Sequence, residues 1–182
     1  MDPAAADGRE SGVFILEGDR HEILSVFSLQ EIIDEVKSVE VVAVDAPISL
    51  PAGRCCLEAD CSCSRHGHFR RADLELRRYG SVLPLTWRGM RELTMRGIIM
   101  AGKLGSMGVE VIETHPRTAD SMAGLSGRLI RKLGIENVKM SVHQRDALIA
   151  GAVAILYCRG EFIELGDPQE GKIILPAPGA EL

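Results

Sequence analysis

Val39-Glu40-Val41-Val42-Ala43-Val44-Asp45-Ala46-Pro47 decides how this chain is read. The nearly unbroken β-branched run suits a strand covered on both faces, and Pro47 and Pro51 end it. A strand of that kind belongs to an α/β sheet, and open α/β sheets bind ligands at the carboxyl ends of their strands. Asp45 stands at such an end. Read more plainly, the same aspartate only caps the turn into Ala46-Pro47.

Upstream of this strand, Ser11 to Glu17 and His21 to Ser28 flank Gly18-Asp19 and predict an antiparallel hairpin. Ser28-Leu29-Gln30-Glu31 has capping-box spacing, which predicts a helix from about Leu29 to Lys37. Downstream, a polar Cys- and His-rich excursion runs from about Pro51 to His68, followed by charged helical sequence to about Tyr79. Thr86 is placed to cap a longer helix from Trp87 to about Met107. A second buried strand, Val109 to Thr114, is stopped by His115-Pro116. One or two short helices follow between Thr118 and Leu133. The strongest helix runs from His143 to Cys158, where Ala147, Ala150, Gly151, Ala152 and Ala154 allow close approach to a sheet. Extended pieces at Phe162 to Leu165 and Lys172 to Leu175 close the chain.

At 182 residues, 46% of them hydrophobic, the chain is an ordinary size for one domain. The expectation is one domain over residues 1–182, with a Cys/His- and Arg-rich insertion over 51–80. No apolar run approaches the roughly 18–20 residues that span a bilayer, and the N-terminus lacks a basic-then-hydrophobic leader pattern. A cytoplasmic, non-membrane protein is expected. Four of the five cysteines crowd into Cys55 to Cys63, unlike a distributed disulfide framework, which favours a reducing compartment. Cys158, on the apolar helix, reads as core.

The net charge of −5 argues against indiscriminate binding to nucleic acid. Its distribution is uneven. From Ser64 to Lys103 nine basic residues face three acids, so that segment is +6 and the remainder −11. Either one electropositive face or a solvated, locally neutralised helix face accounts for this.

Three sets of residues carry chemistry. Asp45 ends the first buried strand. The second ends in Glu113-Thr114-His115-Pro116-Arg117, with Glu113 and His115 on one face by the period-2 rule. His143 and Asp146, three apart at the start of the long helix, are neighbours on its surface. Either a salt bridge or a first-turn acid favoured by the helix dipole would explain these pairs structurally. Taken together, carboxylates from separate elements are the hard oxygen ligands of Mg²⁺ or Mn²⁺, and such a cluster suits phosphodiester hydrolysis. Separately, Cys55, Cys56, Cys61, Cys63, His66 and His68 offer ligands for a tetrahedral structural Zn²⁺, against the alternative of a reduced cysteine loop.

The ordered motifs resemble a family. A hairpin, a helix, a strand with Val-Asp-Ala-Pro, then Ile-Glu-Thr-His-Pro-Arg, His-Gln-Arg-Asp-Ala-Leu on an Ala-rich helix, and a closing Gly-Lys-Ile-Ile-Leu-Pro look like the domain of unknown function 429 (DUF429) family. That resemblance covers essentially the whole chain. It implies a predicted nuclease with an RNase H-like mixed sheet flanked by helices. By the family's motifs, the first-strand acid falls on Asp2, the fourth-strand acid on Asp45, and the last-helix acid on Asp146 with His143 beside it. These residues would hold Mg²⁺ or Mn²⁺, with Glu113 as a further ligand or base. Arg70, Arg71, Arg77, Arg78 and Arg117 would hold a DNA or RNA backbone.

One departure stands out. The family's first strand precedes the Asp-Pro that is Asp2-Pro3 here. The expectation is a sheet lacking that strand, with Met1 inside it, or Asp2 on a frayed terminus. Two other functions fit the superfold or the Cys/His loop. One is a nucleotide-binding protein of the actin and sugar-kinase type, although no glycine-rich phosphate loop follows the hairpin. The other is a non-catalytic, zinc-stabilised nucleic-acid or protein-binding module.

Overall fold

A computed structural model describes all residues, Met1–Leu182. In chain order the elements are β1 (Ser11–Glu17), β2 (Arg20–Val26), α1 (Leu29–Val36), β3 (Val41–Val44), a 3₁₀ turn (Ser62–Arg65), α2 (Arg71–Leu76), α3 (Arg88–Ser106), β4 (Glu110–Thr114), α4 (Pro116–Ala123), α5 (Leu125–Leu133), α6 (Val142–Cys158), β5 (Phe162–Asp167) and β6 (Gly171–Pro176). β1 and β2 form the expected antiparallel hairpin, and β3-β4-β6-β5 form a mixed sheet. In it, β3, β4 and β6 are parallel and β5 is antiparallel to β6. This is a mixed α/β fold with helices on both faces.

β3 does sit covered on both sides. Ala43 packs into the core formed with α6, α4 and α5, while Val42 and Val44 pack into the core formed with α1 and α3. α6 is apolar nearly all round because β1 and β3 cover one side and α4 and α5 another. Its close approach rests on two glycines. A Cβ at Gly12 would stand 2.0 Å from the carbonyl oxygen of His143, and one at Gly151 would stand 2.3 Å from the Phe14 ring. α1 starts as predicted: Ser28 accepts from the Glu31 N–H at 3.1 Å, and the Glu31 carboxylate accepts from Phe27 at 2.7 Å. A cap of this kind contributes about 1 kcal/mol. Thr86 does not cap α3; its hydroxyl bonds His68 Nδ1 at 2.9 Å, and Trp87 takes the cap position.

The N-terminus is not frayed. Asp2 pairs with Gly12 of β1 through two 2.9 Å backbone bonds. On its other side the Met1 amine donates to the Ala43 carbonyl at 2.6 Å, and the Asp45 N–H donates to the Met1 carbonyl at 2.9 Å. Met1 and Asp2 therefore form a two-residue stitch between β1 and β3, antiparallel to the first and parallel to the second. Both residues are buried, Met1 at 4% exposure. Burial brings the Met1 ammonium down to about 6, against the pull of Asp2 and Asp45. No helix is long and apolar enough to cross a membrane.

Candidate metal centre

Asp2, Asp45 and Asp146 meet although they are far apart in sequence. The stitch presents Asp2, the end of β3 presents Asp45, and the first turn of α6 presents Asp146. Their ligand atoms all lie within 4.8 Å of one another. α6 is fixed at that end by a reciprocal cap: Ser141 Oγ accepts from the Gln144 N–H at 3.1 Å, and the Gln144 side chain accepts from the Ser141 N–H at 3.0 Å.

The cluster forms part of the wall of a cavity of about 720 Å³, together with His115, Arg117, His143 and Glu113. The cavity opens at the carboxyl ends of β3 and β4, where the strand reading places a ligand.

Three carboxylates this close repel. Burial pushes Asp45 well above the ordinary aspartate range; Asp2 and Asp146 push it further, against the Met1 ammonium and Arg117. Asp2 is raised by burial despite the 2.7 Å bond from its Oδ2 to His143 Nδ1. Asp146 is raised by burial, with Arg117 the main opposing influence. Burial leads all three shifts, and no arginine closes on these carboxylates as Arg70 closes on Glu113. Three oxygen donors with an excess of negative charge fit a hard divalent cation such as Mg²⁺ or Mn²⁺. They do not fit a soft one.

The other predicted residues are distributed differently. Glu113 reaches the same cavity but is engaged. Arg70 donates to its two oxygens at 2.6 and 2.5 Å, and the Ile48 N–H donates at 3.0 Å. Burial pushes the Glu113 carboxyl up, and Arg70 pulls it back.

Arg70 also binds Asp73 at 2.8 Å and Ser49 at 2.8 Å and has no exposed surface. The expectation that Arg70 reaches a substrate is therefore corrected: its partners consume the guanidinium. Sequence gave no sign of this, because Glu113 lies 43 positions away. Asp73, the third member, went unnoticed as an ordinary helix acid.

Of the remaining arginines, exposed Arg71 pairs with Glu75 at 2.9 Å, and Arg77 lies over the Phe69 ring at 3.9 Å. Arg78 is exposed. Arg88, Arg91 and Arg96 pair with Glu92, Glu58 and Asp7. Five of the nine basic residues in this stretch thus have an acidic partner. Arg117, exposed and lining the cavity, is the predicted arginine that stands at the carboxylates. His115 does not join them; its Nδ1 bonds Thr118 Oγ1 at 2.9 Å and caps α4.

In the excursion after β3 the four thiols gather and the histidines do not. Cys55, Cys56, Cys61 and Cys63 place their sulfurs within 4.8 Å of one another. Cys55 and Cys61 are 3.7 Å apart, as are Cys56 and Cys63. That is far beyond a disulfide bond and close to the edge of about 3.8 Å that a tetrahedron with 2.3 Å metal–sulfur bonds requires.

His66 packs instead against Gly53, and His68 bonds Thr86, so neither belongs to the ligand set expected from sequence. Arg54, which sequence reading passed over, braces the loop. It is 8% exposed and donates to the carbonyls of Cys56, Ser64, His66 and Gly67 at 2.7–3.2 Å. Cys158 is exposed rather than core.

The profile of a family described as "Protein of unknown function (DUF429)" matches residues 5–161, a span that includes Asp45, Asp146 and all four clustered cysteines. No curated protein and no solved structure matches the chain.

Proposed function

The chain belongs to the DUF429 family, and we propose that it is a divalent-metal-dependent hydrolase of phosphodiester bonds in DNA or RNA. The observation that supports this most is the meeting of Asp2, Asp45 and Asp146 in one cavity wall, where no arginine closes on them. Placing these acids on a strand stitch, a strand end and a helix also favours an RNase H-like assignment of the fold. Asp2, Asp45 and Asp146 would hold Mg²⁺ or Mn²⁺, which supplies an activated water and charge stabilisation at the leaving oxygen.

The chain's own residues do the rest. Asp2 orients His143 through Nδ1, leaving Nε2 as the nitrogen available to carry a proton. Arg117, at the cavity, engages a non-bridging phosphate oxygen. Glu113, locked by Arg70, holds the Ile48 backbone just after β3. The Cys55, Cys56, Cys61 and Cys63 group would hold a structural Zn²⁺, which with Arg54 would fix the loop after β3.

The test is incubation with labelled single-stranded, double-stranded and branched DNA and RNA, with Mn²⁺, Mg²⁺ or chelator. Wild type is compared with Asp45→Asn and Asp146→Asn. Metal-dependent cleavage lost in both variants is expected. Absence of cleavage from every substrate, or cleavage that survives both substitutions, would overturn the reading.

A further inference from the structure

The cavity of about 720 Å³ that holds the carboxylates is larger than they need. A metal ion with one phosphate fills only part of such a volume, which lies within the range of about 300–1,000 Å³ usual for sites that take a whole small molecule. Besides the acids, the wall carries Tyr79, Val82, Leu83, Leu85 and, from α3, Met90. Leu85 is fully buried and backs this surface, whereas Tyr79 at 44% and Leu83 at 50% exposure line the cavity without being covered by the fold.

The segment that supplies most of this wall is fixed at its ends and unpaired between them. Just after α2, the Tyr79 and Gly80 N–H groups donate to the Leu76 carbonyl at 2.9 and 3.1 Å. Just before α3, the Leu85 N–H donates to the His68 carbonyl at 3.0 Å. Gly80 also lies close against α4, where a Cβ would stand 2.9 Å from Thr118 Oγ1. Between these anchors Ser81, Val82 and Leu83 make no backbone–backbone hydrogen bond, although all three line the cavity. Their N–H and C=O groups still need partners, and beside an apolar surface they are placed to orient a ligand.

We propose that this wall is a nucleobase subsite. The base of a nucleotide whose phosphate lies at the carboxylates docks against Tyr79 and Leu83, and the Ser81–Leu83 backbone hydrogen-bonds its edge. For the position of the phosphate the proposal rests on the hydrolase reading above. A nucleobase has the two characters that the wall asks for, a flat face that stacks on a tyrosine ring and a rim of donors and acceptors. A phosphate and its metal use neither. The subsite also selects the form of the substrate. A base enters a cavity only when it is out of its stack and its pair, so the substrates are unpaired nucleotides, in single strands or at mismatches and branch points, rather than continuous duplex.

The test is calorimetric titration of the protein, in Mn²⁺, with nucleoside 5′-monophosphates and with ribose 5-phosphate and deoxyribose 5-phosphate, which keep the phosphate and sugar and lack the base. Nucleotides are expected to bind at least about 10-fold more tightly than the matching sugar phosphate, whichever sugar is preferred. The double variant Tyr79→Ala/Leu83→Ser, altered only at exposed positions, is expected to bring that ratio close to one and to leave sugar-phosphate binding unchanged. A labelled strand is expected to be cut at least about 10-fold faster alone than when fully paired. A ratio near one in wild type overturns the proposal, as does a ratio that the double variant does not lower, or a duplex cut as fast as the single strand. If any of these accompanies Mn²⁺-dependent cleavage that Asp45→Asn abolishes, the hydrolase reading stands without the subsite. A tenfold ratio in a protein that cleaves nothing would fault that reading and keep the subsite.

Discussion

Two groups of buried carboxylates share one cavity and stand in opposite electrostatic states. Glu113 and Asp73 close on Arg70, whose nitrogens satisfy both at 2.5–3.2 Å. Asp2, Asp45 and Asp146 close on one another, with the Met1 ammonium, His143, Arg117 and Arg145 around them but no arginine closed on them. The first group is complete as the chain folds. The second lacks such a partner, and a proton or a metal ion would supply positive charge there. A buried acid thus points to a ligand only when its counter-charge is missing, and burial alone does not separate the two cases.

Removing the counter-charge from the complete group is the harshest way to break this contrast. Arg70→Met should cost about 3–5 kcal/mol by leaving Glu113 and Asp73 buried without a partner, read as a lower midpoint in urea unfolding. A loss under about 1 kcal/mol would mean that the two groups are not different in kind. Neutralising the incomplete group should do the opposite to stability and abolish function. Asp45→Asn is expected to leave the metal-free protein at least as stable as wild type, yet lower Mn²⁺-dependent cleavage by about 100-fold or more.

The pH dependence sharpens the same point. Asp45 is raised in the folded state, so its stabilising protonation is fully present below the unfolded value of 3.8. It is lost as pH rises through the higher folded value. Wild type minus Asp45→Asn, compared by thermal unfolding without metal, should therefore fall as pH rises. Added Mn²⁺ should stabilise wild type more at pH 7.5 than at pH 5, because the ion competes with protons. A flat difference would show that Asp45 is not strained.

The smallest effects concern zinc. Cys63→Ser should remove bound zinc and expose the loop after β3 to proteolysis while the core remains folded. His66→Ala should leave zinc stoichiometry unchanged, since its ring lies against Gly53 rather than among the sulfurs. Loss of zinc in that variant would restore histidine to the ligand set.

The elements with strong local signals were legible in sequence. The β-branched run around Val41–Val44, the Ser28/Glu31 cap and the small residues of α6 each dictate structure through neighbours a few positions away. What was hidden depends on partners distant in sequence. Arg70 reads as one of several surface arginines until Glu113 folds onto it. Met1-Asp2 reads as a loose end until β1 and β3 receive it on either side. In the cysteine loop the residue types were visible but their directions were not. The 3₁₀ turn at Ser62–Arg65 carries Cys63 inward, whereas His66 and His68 take separate partners. The triad was reached through family motifs, since no local spacing links positions 2, 45 and 146.

That spacing has a consequence for the life of the chain before it is complete. Synthesis proceeds at about 5–20 residues per second, so Asp146 is added roughly 5–20 s after Asp45. Until then Asp2 and Asp45 stand on the nascent polypeptide without the third carboxylate. The cluster is complete only when α6 docks over Gly12 and brings its first turn against the strand ends.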